Sequence, residues 1–320
     1  MKKIWIITLT VISSLFFLSS CSKDDDKKED RQPVKVVKQH EKAILLATFG
    51  STWEGPHKTY QNIRDAYKKE FPDYDIYFSM TSTKCITRWG AKTHEYFATP
   101  DLWLKAIGEA GYKEVKVQSL HVIPGEEFGK LRDFYIKDFM NQFPNVKVYA
   151  GHPLLWDKDV DIPVVAKALN DIYKSLVHKG EAVAFMGHGN PDVRYDFGNV
   201  RYREIEKELK SKYNKNYFVA TVDYGEMLID YLVDEIKSSV KAGTHVNLVP
   251  LMSIAGDHAN NDMAGDEDPK EKPEDQSWKV ILKKAGFSVD KDNIYIKGLG
   301  DYPEVLKVWI KHTHEAEEIE

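Results

Sequence analysis

The sequence predicts an α/β fold of two similar Rossmann-like or flavodoxin-like lobes, each with a parallel sheet flanked by helices, and a cleft between the lobes. Apolar, β-branched runs alternate with segments of helical spacing along most of the chain. This alternation occurs in two rounds of similar length, which indicates two similar lobes. Three of the apolar runs end in turns that carry histidine or carboxylate. Because the strand ends of a parallel sheet lie along one edge, these turns indicate a site in the cleft.

The first 21 residues predict a lipoprotein signal peptide. Lys2 and Lys3 precede an apolar run from Ile4 to Leu18, which is too short for a comfortable membrane span. The next residues resemble a bacterial lipobox, so Cys21 is the predicted site of lipid attachment. The alternative is an uncleaved N-terminal anchor. Both interpretations place the folded part outside the cytoplasm, and we expect a lipid-anchored protein of the cell envelope, at the outer membrane.

Residues 22–41 predict a disordered tether, because they are charged and poor in large apolar side chains. The acidic residues directly after Cys21 resemble the surface-export signal of some Gram-negative lipoproteins. Charge runs of this kind are also common as solvated spacers, so the exposed leaflet stays open.

The composition argues against a nucleic-acid-binding protein and against a protein held together by disulfides. Basic residues are interspersed with acidic ones and the formal net charge is −5, which argues against a nucleic-acid partner. The chain has only 2 cysteines, and if Cys21 carries lipid then Cys85 has no partner for a disulfide. Any metal must therefore be held by histidine and carboxylate side chains.

The first predicted lobe spans residues 42–155. It opens on a continuous apolar run of the kind found in buried strands, and one of its helices stops at Gly111, a residue type favoured just past a helix end. Its predicted elements are strand Ala43–Phe49, helix His57–Phe71, strand Asp75–Ser79, helix Pro100–Ala110, strand Val115–Val122, helix Phe128–Phe143 and strand Val146–Tyr149.

The second predicted lobe spans residues 156–320 and includes a terminal helix. It repeats the alternation, although the residue-level similarity to the first lobe is too faint to indicate duplication. Its predicted elements are helix Val160–His178, strand Ala182–Met186, helix Tyr202–Tyr213, strand Tyr217–Val222, helix Met227–Lys241, strand His245–Met252, helix Trp278–Ala285, strand Ile294–Lys297 and helix Pro303–His314.

Two histidines follow predicted strands. His188 stands between Gly187 and Gly189, which permit unusual backbone angles and the close approach of another molecule. His258 lies in a loop rich in Asp and Asn that follows an apolar strand. A calcium loop is the competing interpretation, but the alternating oxygen ligands of an EF-hand fail at Ala259. We therefore interpret His258 as a transition-metal ligand.

Carboxylates follow two further strands. Glu126 and Glu127 come after the strand that ends near Val122, and Asp223 ends the strand of residues 217–222. Acidic residues at such places also serve as helix N-terminal charges, and that alternative stays open here. Two histidines plus a carboxylate, with positions left open, suit an exchangeable cobalt, nickel, iron or zinc ion better than a closed structural site.

Seven segments, in order, resemble the CbiK-type anaerobic cobalt chelatases, which insert cobalt into sirohydrochlorin on the cobalamin pathway. The resemblance spans about Lys42 to His314 and implies two α/β lobes with the tetrapyrrole between them. The segments are AILLATFGST, TSTKCITRW, VQSLHVIPGEEF, FMGHGN, LVPLMSIAGDHANNDMAGDED, SWKVILKKAGF and KGLGDYPE.

The resemblance also implies roles for single residues. The metal-binding histidines of the family fall on His188, the candidate base as well, and on His258. A glutamate ligand of the family falls on Asp223, whose side chain is shorter. The glutamate of the PGEE turn that matters for activity falls on Glu127, and an arginine of the family falls on Arg88, which is predicted to contact substrate carboxylates. Ser51 and Glu126, in the same matched segments, are predicted to contact substrate.

The function implied is metal insertion into sirohydrochlorin or a related tetrapyrrole. Two pyrrole N–H protons leave as the divalent ion enters, so a neutral imidazole near the macrocycle can bind metal, accept a proton, or do each in turn. Co²⁺ is the expected metal, with Fe²⁺, Ni²⁺ and Zn²⁺ as alternatives, and no organic cofactor is expected. Since sirohydrochlorin carries many carboxylates, Arg or Lys should line the rim.

The export signal supports two alternatives. The first is a cell-envelope lipoprotein that binds haem or another tetrapyrrole, with one of the same histidines as axial ligand. Its candidate partner is an outer-membrane transporter, and its candidate reaction is removal of iron from haem. The second is a metal-storage or metal-relay protein that uses the same ligands without tetrapyrrole. The two histidines and Glu127 favour chelatase chemistry, whereas the export signal and Asp223 favour scavenging.

Overall fold

The structure is a computed structural model that describes residues 34–95 and 97–319. The predicted signal peptide, Cys21 and the first part of the predicted tether lie outside the described residues. Within the described part, no helix combines the length and the hydropathy that crossing a membrane would need.

Parallel strands form two sheets, as the sequence predicts. In the first sheet, strands β1 (Lys42–Thr48), β2 (Tyr74–Met80), β3 (Glu114–Ser119) and β4 (Lys147–Gly151) lie in the order β2-β1-β3-β4. The second sheet has the order β6-β5-β7, with all neighbours parallel. Its strands are β5 (Ala182–Gly187), β6 (Tyr217–Thr221) and β7 (Val246–Pro250).

Ten α-helices connect and flank these strands in the described part of the chain. The segment after β3 is one continuous helical stretch with a π-helical turn at Leu131–Ile136 in its middle. The helices are α1 (Glu54–Glu70), α2 (Thr83–Thr93), α3 (Pro100–Glu109), α4 (Glu126–Lys130), α5 (Lys137–Gln142), α6 (Asp161–His178), α7 (Asp196–Lys212), α8 (Ile229–Ser239), α9 (Trp278–Lys284) and α10 (Pro303–His314).

Two predictions of local structure were wrong. The segment Ile294–Lys297 forms only an isolated bridge between Ile294 and Leu248, because the chain then turns locally, with the Lys297 N–H bonded to the Tyr295 carbonyl. Helix α2 was missed, since its β-branched Thr and Ile residues weaken the helical signal. It is stabilised by Cys85 and Trp89, which are buried one turn apart.

The C-terminal segment packs against the first sheet. Trp309 of α10 is fully buried, and its Nε1 donates to the His121 carbonyl at 3.3 Å. The Lys116 ammonium of β3 donates to the carbonyl of Thr313 at 2.9 Å. The last strand, β8 (Glu317–Glu318), pairs antiparallel with β4. The terminal helix therefore does not pack with the second sheet alone, as the predicted lobe 156–320 implied, whereas the division near residue 155 stays a prediction.

The end of the predicted tether is ordered. Asp75 of β2 accepts hydrogen bonds from the backbone N–H groups of Gln39 and His40, at 2.8 and 3.0 Å, and contacts the His40 ring at 2.9 Å. The Tyr112 hydroxyl donates to the same carboxylate at 2.5 Å. The prediction of disorder up to residue 41 was therefore wrong for this last stretch, because one buried carboxylate binds it to the sheet.

Candidate functional site

A cavity of about 310 Å³ lies at the carboxyl ends of β1 and β3 in the first sheet and of β5 and β7 in the second. Its volume is within the range of small-molecule sites. The turns that carry His188, His258 and Glu127 all reach it, as the sequence predicts. The lining residues are Phe49, Gly50, Ser82, Lys84, Cys85, Arg88, His121, Val122, Ile123, Glu127, His188, Gly189, Asn190, Tyr202, Leu251, Met252, Ser253, Ile254, Gly256, Asp257 and His258.

Glycines on both sides fix the position of His188. A Cβ atom on Gly187 would lie 2.3 Å from the ring of Tyr202, so β5 approaches α7 more closely than any side chain allows. Gly189 has φ of +83°, and its Cβ would lie 2.7 Å from the backbone nitrogen of Tyr224. The strand exit is thus held by close packing on both sides of the imidazole.

The rings of His188 and His258 face each other edge to face, with centroids 4.7 Å apart and planes at 76°. The Nδ1 of His188 lies 2.8 Å from the Gly189 carbonyl, and the Nδ1 of His258 contacts the Asp262 carboxylate. Since a carbonyl and a carboxylate only accept, each Nδ1 carries the proton. In its neutral form each ring therefore has an Nε2 lone pair free for a metal ion or a proton.

Carboxylates make the surroundings of His258 negative. The hydrogen bond to Asp262 raises the pKa of His258 above its usual value, and the charges of Asp262, Asp223 and Asp257 add to this rise, whereas burial opposes it. Surroundings that favour the positive imidazolium also favour a divalent cation beside the neutral ring. A carboxylate behind a metal-binding imidazole is also the usual way in which such rings are oriented.

Asp223 lies beside His188. Its Oδ2 is 3.9 Å from the His188 Nε2, and its backbone N–H donates to the His188 carbonyl at 2.9 Å. Among the residues that the structure describes, no three His, Cys, Asp or Glu side chains converge closely enough to enclose a metal ion. Two histidines with adjacent open positions remain, an arrangement that suits an ion in transit better than a resident one.

The turn that carries Glu127 is joined to the turn that carries His188. Asn190 Oδ1 accepts a hydrogen bond from the Glu126 backbone N–H at 3.1 Å. A Cβ atom on Gly125 would lie 2.5 Å from Asn190 Nδ2, so the two turns are in direct contact. Glu127 is half-buried and lines the cavity. An imidazole and a carboxylate that follow strands of different sheets thus line one cavity.

Two cations of α2 line the cavity. Lys84 and Arg88 are one helical turn apart and exposed, and neither forms an ion pair with a carboxylate among the described residues. Like charges at this spacing repel each other. The contact of Arg88 with substrate carboxylates stays a prediction, and Lys84 was missed because α2 itself was missed.

Two predicted substrate contacts are not supported by the structure. Ser51 is 1% exposed, and its hydroxyl accepts the Trp53 N–H at 3.1 Å, so it serves the turn after β1. The carboxylate of Glu126 is paired with the Lys130 ammonium at 2.5 Å. Neither side chain is among the described residues that line the cavity. The structure therefore does not place either side chain at the cavity, and the two substrate contacts stay predictions.

Three further residues of the site, besides Lys84, were not found from the sequence. Asp262 follows His258 by four residues, a spacing that places both on one face of a helical turn and so was available as a signal. Asp257 accepts from the Trp53 Nε1 at 2.5 Å. His121 is buried at the cavity wall. The contacts of the last two depend on tertiary packing, which local spacing does not report.

Comparison with known proteins finds cobalt chelatases by family model and by sequence identity. The family model described as "Cobalt chelatase (CbiK)" matches residues 42–318. The sirohydrochlorin cobaltochelatase of Salmonella typhimurium is 29% identical over 280 residues, covering 86% of this chain and 96% of that protein. The sirohydrochlorin cobaltochelatase CbiKC of Nitratidesulfovibrio vulgaris is 28% identical over 292 residues, covering 89% of this chain and 94% of that protein.

Solved structures show the same fold. SirB from Bacillus subtilis with Fe³⁺ superposes with a TM-score of 0.54 at 17% identity, covering 86% of this chain and 94% of that one. The sirohydrochlorin chelatase SirB from Bacillus subtilis subspecies spizizenii, in complex with cobalt, has a TM-score of 0.50 at 16% identity, with the same coverage. These likenesses confirm the predicted α/β class with parallel sheets.

Proposed function

The chain belongs to the CbiK cobalt chelatase family, and on that premise we propose that it is a metal chelatase that inserts Co²⁺ into sirohydrochlorin. The observation that carries the proposal is the pair of Nε2 atoms that His188 and His258 leave free in one cavity, with ring centroids 4.7 Å apart. Relatives at 29% and 28% identity are sirohydrochlorin cobaltochelatases. The class of enzyme is accordingly a lyase that acts on a tetrapyrrole and a metal ion.

The chemistry divides among the cavity side chains. In its neutral form His188 has an unprotonated Nε2, which accepts a pyrrole proton or contacts the entering ion. His258, backed by Asp262, is the second metal ligand. Asp223, 3.9 Å from His188, supplies a third ligand after a small movement of its side chain. Glu127, which lines the same cavity, takes part in removing the second proton.

The donor set favours late divalent metals. Two imidazoles and a carboxylate bind Co²⁺, Ni²⁺ and Zn²⁺ well and Fe²⁺ less tightly. The metal is a substrate, so its site must release it to the macrocycle. Open coordination positions and half-exposed ligands, such as Asp223 at 41% exposure, meet that need.

The test is Co²⁺ insertion by the full-length chain in detergent, followed by absorbance. We expect His188→Ala and His258→Ala to abolish insertion, since each removes a free Nε2. His178→Ala, on the exposed face of α6, is the matched control and should leave insertion unchanged. Full activity in either cavity variant would contradict the assignment of that histidine.

A second candidate function is the capture of haem or a related tetrapyrrole at the cell envelope. Two observations of the sequence favour it: the lipobox at Cys21 and the replacement of the family's glutamate ligand by Asp223. In that case one of the cavity imidazoles is an axial iron ligand, and an outer-membrane transporter is the partner. A tight Soret shift with haem, together with no metallation of sirohydrochlorin by any divalent ion, would select this function.

We also propose that the protein is lipid-anchored in the cell envelope. The support is the signal peptide and lipobox of the sequence. Mass spectrometry of the mature protein should find an N-terminus at a lipidated Cys21, and Cys21→Ser should release the protein from the membrane fraction. A mature chain that still begins at Met1 would indicate an uncleaved anchor instead.

A further inference from the structure

His121 is a third histidine at the cavity, with no role assigned so far. It follows β3 directly, in the turn that leads to Glu127, and it is 9% exposed. Trp309 Nε1 donates to its carbonyl at 3.3 Å, so the C-terminal helix holds its backbone. The ring is therefore fixed at the cavity wall by the surrounding structure.

Hydrogen bonding assigns the tautomer of His121. The hydroxyl of Ser119 is fully buried, accepts the backbone N–H of His121 at 3.3 Å, and lies 2.8 Å from the His121 Nδ1. The Ser119 hydroxyl also has a proton to donate, and the His121 Nδ1 is the acceptor that it can reach among the described residues. A buried hydroxyl donates when an acceptor is available, so Ser119 donates to Nδ1 and the ring proton is on Nε2.

The Nε2–H of His121 is buried and has no hydrogen-bond partner among the described residues. A buried donor of this kind is costly and needs an acceptor in the working protein. Burial lowers the pKa of His121, which keeps the ring neutral, while the charge of Glu127 opposes this effect and that of His188 adds to it. Glu127 lines the same cavity and is half-buried, and its carboxylate has no hydrogen bond or ion pair with another described residue.

We propose that His121 is a positioning residue of the proposed chelatase site, whose Nε2–H receives the Glu127 carboxylate and holds it on the cavity wall beside His188. The inference rests on the proposed chelatase function. A carboxylate held by one neutral donor keeps its second oxygen free toward the tetrapyrrole. The free oxygen of Glu127 can then accept a pyrrole proton from a defined direction. His121 keeps its Nε2 proton throughout this step.

Two substitutions separate hydrogen bonding from packing. His121→Phe keeps an aromatic ring but removes the donor, and we expect kcat for Co²⁺ insertion to fall about ten- to hundredfold, with KM for sirohydrochlorin and the Kd for Co²⁺ little changed. His121→Gln places an amide N–H near the position of Nε2 and should restore most of the lost rate. Equal loss in both variants, or a change in KM alone, would overturn the proposal.

A double-mutant cycle tests whether His121 acts through Glu127. In a Glu127→Gln background, His121→Phe should cost little further rate, because the carboxylate that it positions is already absent. Full additivity of the two losses would overturn the inference. Nitrogen NMR of the unsubstituted chain gives a test that does not depend on a folded variant: protonation at Nε2 supports the proposal, and protonation at Nδ1 contradicts it.

The outcomes distinguish this inference from the proposed function. If the unsubstituted chain inserts Co²⁺ and His188→Ala does not, while His121→Phe matches the unsubstituted chain, the proposed function stands and the role of His121 is wrong. If the unsubstituted chain inserts no metal, both fall together.

Discussion

The side-chain oxygen of Asn190 accepts the backbone N–H of Glu126 at 3.1 Å, which joins the turn after β5 to the turn after β3. Asn190 is itself held in place, because its N–H donates to Asn199 Oδ1 at 2.9 Å and its carbonyl accepts from Asn199 Nδ2 at 2.8 Å. His188 and Glu127 belong to different sheets. The two turns that carry them are therefore joined through one buried asparagine pair.

Removing this link should reduce both stability and rate. Asn190→Ala leaves the Glu126 N–H without its acceptor, and we expect a loss of about 1–3 kcal/mol in the free energy of unfolding. Since the turns then lose their register, kcat should fall more than KM rises. Urea unfolding and Co²⁺ insertion measure the two effects.

Asn62→Ala is the matched control for this substitution. Its side chain donates to Asp301 at 3.2 Å near the surface, away from the cavity. It should affect the rate little. If Asn190→Ala lowered stability but left kcat unchanged, the link would be structural only.

The pairing of His188 with His258 was predictable from the sequence for a physical reason. Parallel strands place their carboxyl ends at one edge, so a residue just after a strand has a known position whatever its neighbours are. The same argument placed Glu127 at the cavity. This argument required only that apolar runs be recognised as strands. Buried parallel strands are easy to recognise because both of their faces are apolar.

Contacts set by side-chain direction were not predictable in this way. Ser51 also follows a strand, yet its side chain turns back to cap the chain at Trp53. The sequence predicted the helix Pro303–His314, but nothing in its spacing identified β3 and β4 as the surface that it covers. Asn190 and Asn199 meet only because β5 and α7 pack at a glycine. Such contacts depend on tertiary packing, so local pattern does not report them.

The buried pair of Asp161 and His312 should make stability depend on pH. The His312 Nε2 lies 3.0 Å from Asp161 Oδ1, and the two side chains are 5% and 3% exposed. Burial alone would raise the pKa of Asp161, but the hydrogen bonds from His312 and from the Asp157 N–H outweigh it, so the pKa lies below its usual value. In the unfolded chain the Asp161 carboxyl has a pKa of about 3.9. As the pH falls, Asp161 is therefore protonated in the unfolded chain before it is protonated in the folded one.

Acid should remove the stability that Asp161 contributes. Stability from Asp161 is fully present above about pH 5 and is lost as the pH falls through about 3.9 toward the lower pKa of the folded chain. Asp161→Asn should lower the free energy of unfolding at pH 7 by about 3 kcal/mol and flatten its decline below pH 5. Urea unfolding between pH 3 and 7 measures both, with the exposed Asp171→Asn of the same helix as control. An undiminished acid decline in Asp161→Asn would contradict the assignment.

Asp262 should control metal affinity through His258. Asp262→Asn replaces the carboxylate that contacts the His258 Nδ1 with an amide. The ring is then less firmly oriented, and its Nε2 is a weaker ligand for the metal ion. Loss of such a partner costs about 10- to 100-fold in metal affinity. Titration with Co²⁺, followed by absorbance or calorimetry, measures the loss. Asp266→Asn is a suitable control because Asp266 pairs with Lys279 at the surface, and equal affinities in the two variants would exclude this role of Asp262.

Lys84 and Arg88 should determine affinity for the anionic substrate. Both line the cavity and neither is paired with a carboxylate among the described residues, so a carboxylate of the tetrapyrrole gains a charge-assisted hydrogen bond without breaking an existing pair. We expect Lys84→Gln and Arg88→Gln each to raise KM for sirohydrochlorin about tenfold with little change in kcat, and the difference from the unsubstituted chain to shrink as salt screens the charges. Lys92→Gln is the matched control, because Lys92 belongs to the same helix but is paired with Glu54 at 3.4 Å and does not line the cavity. An equal rise in KM in all three variants would show that the effect comes from the overall charge of α2 and not from contact with the substrate.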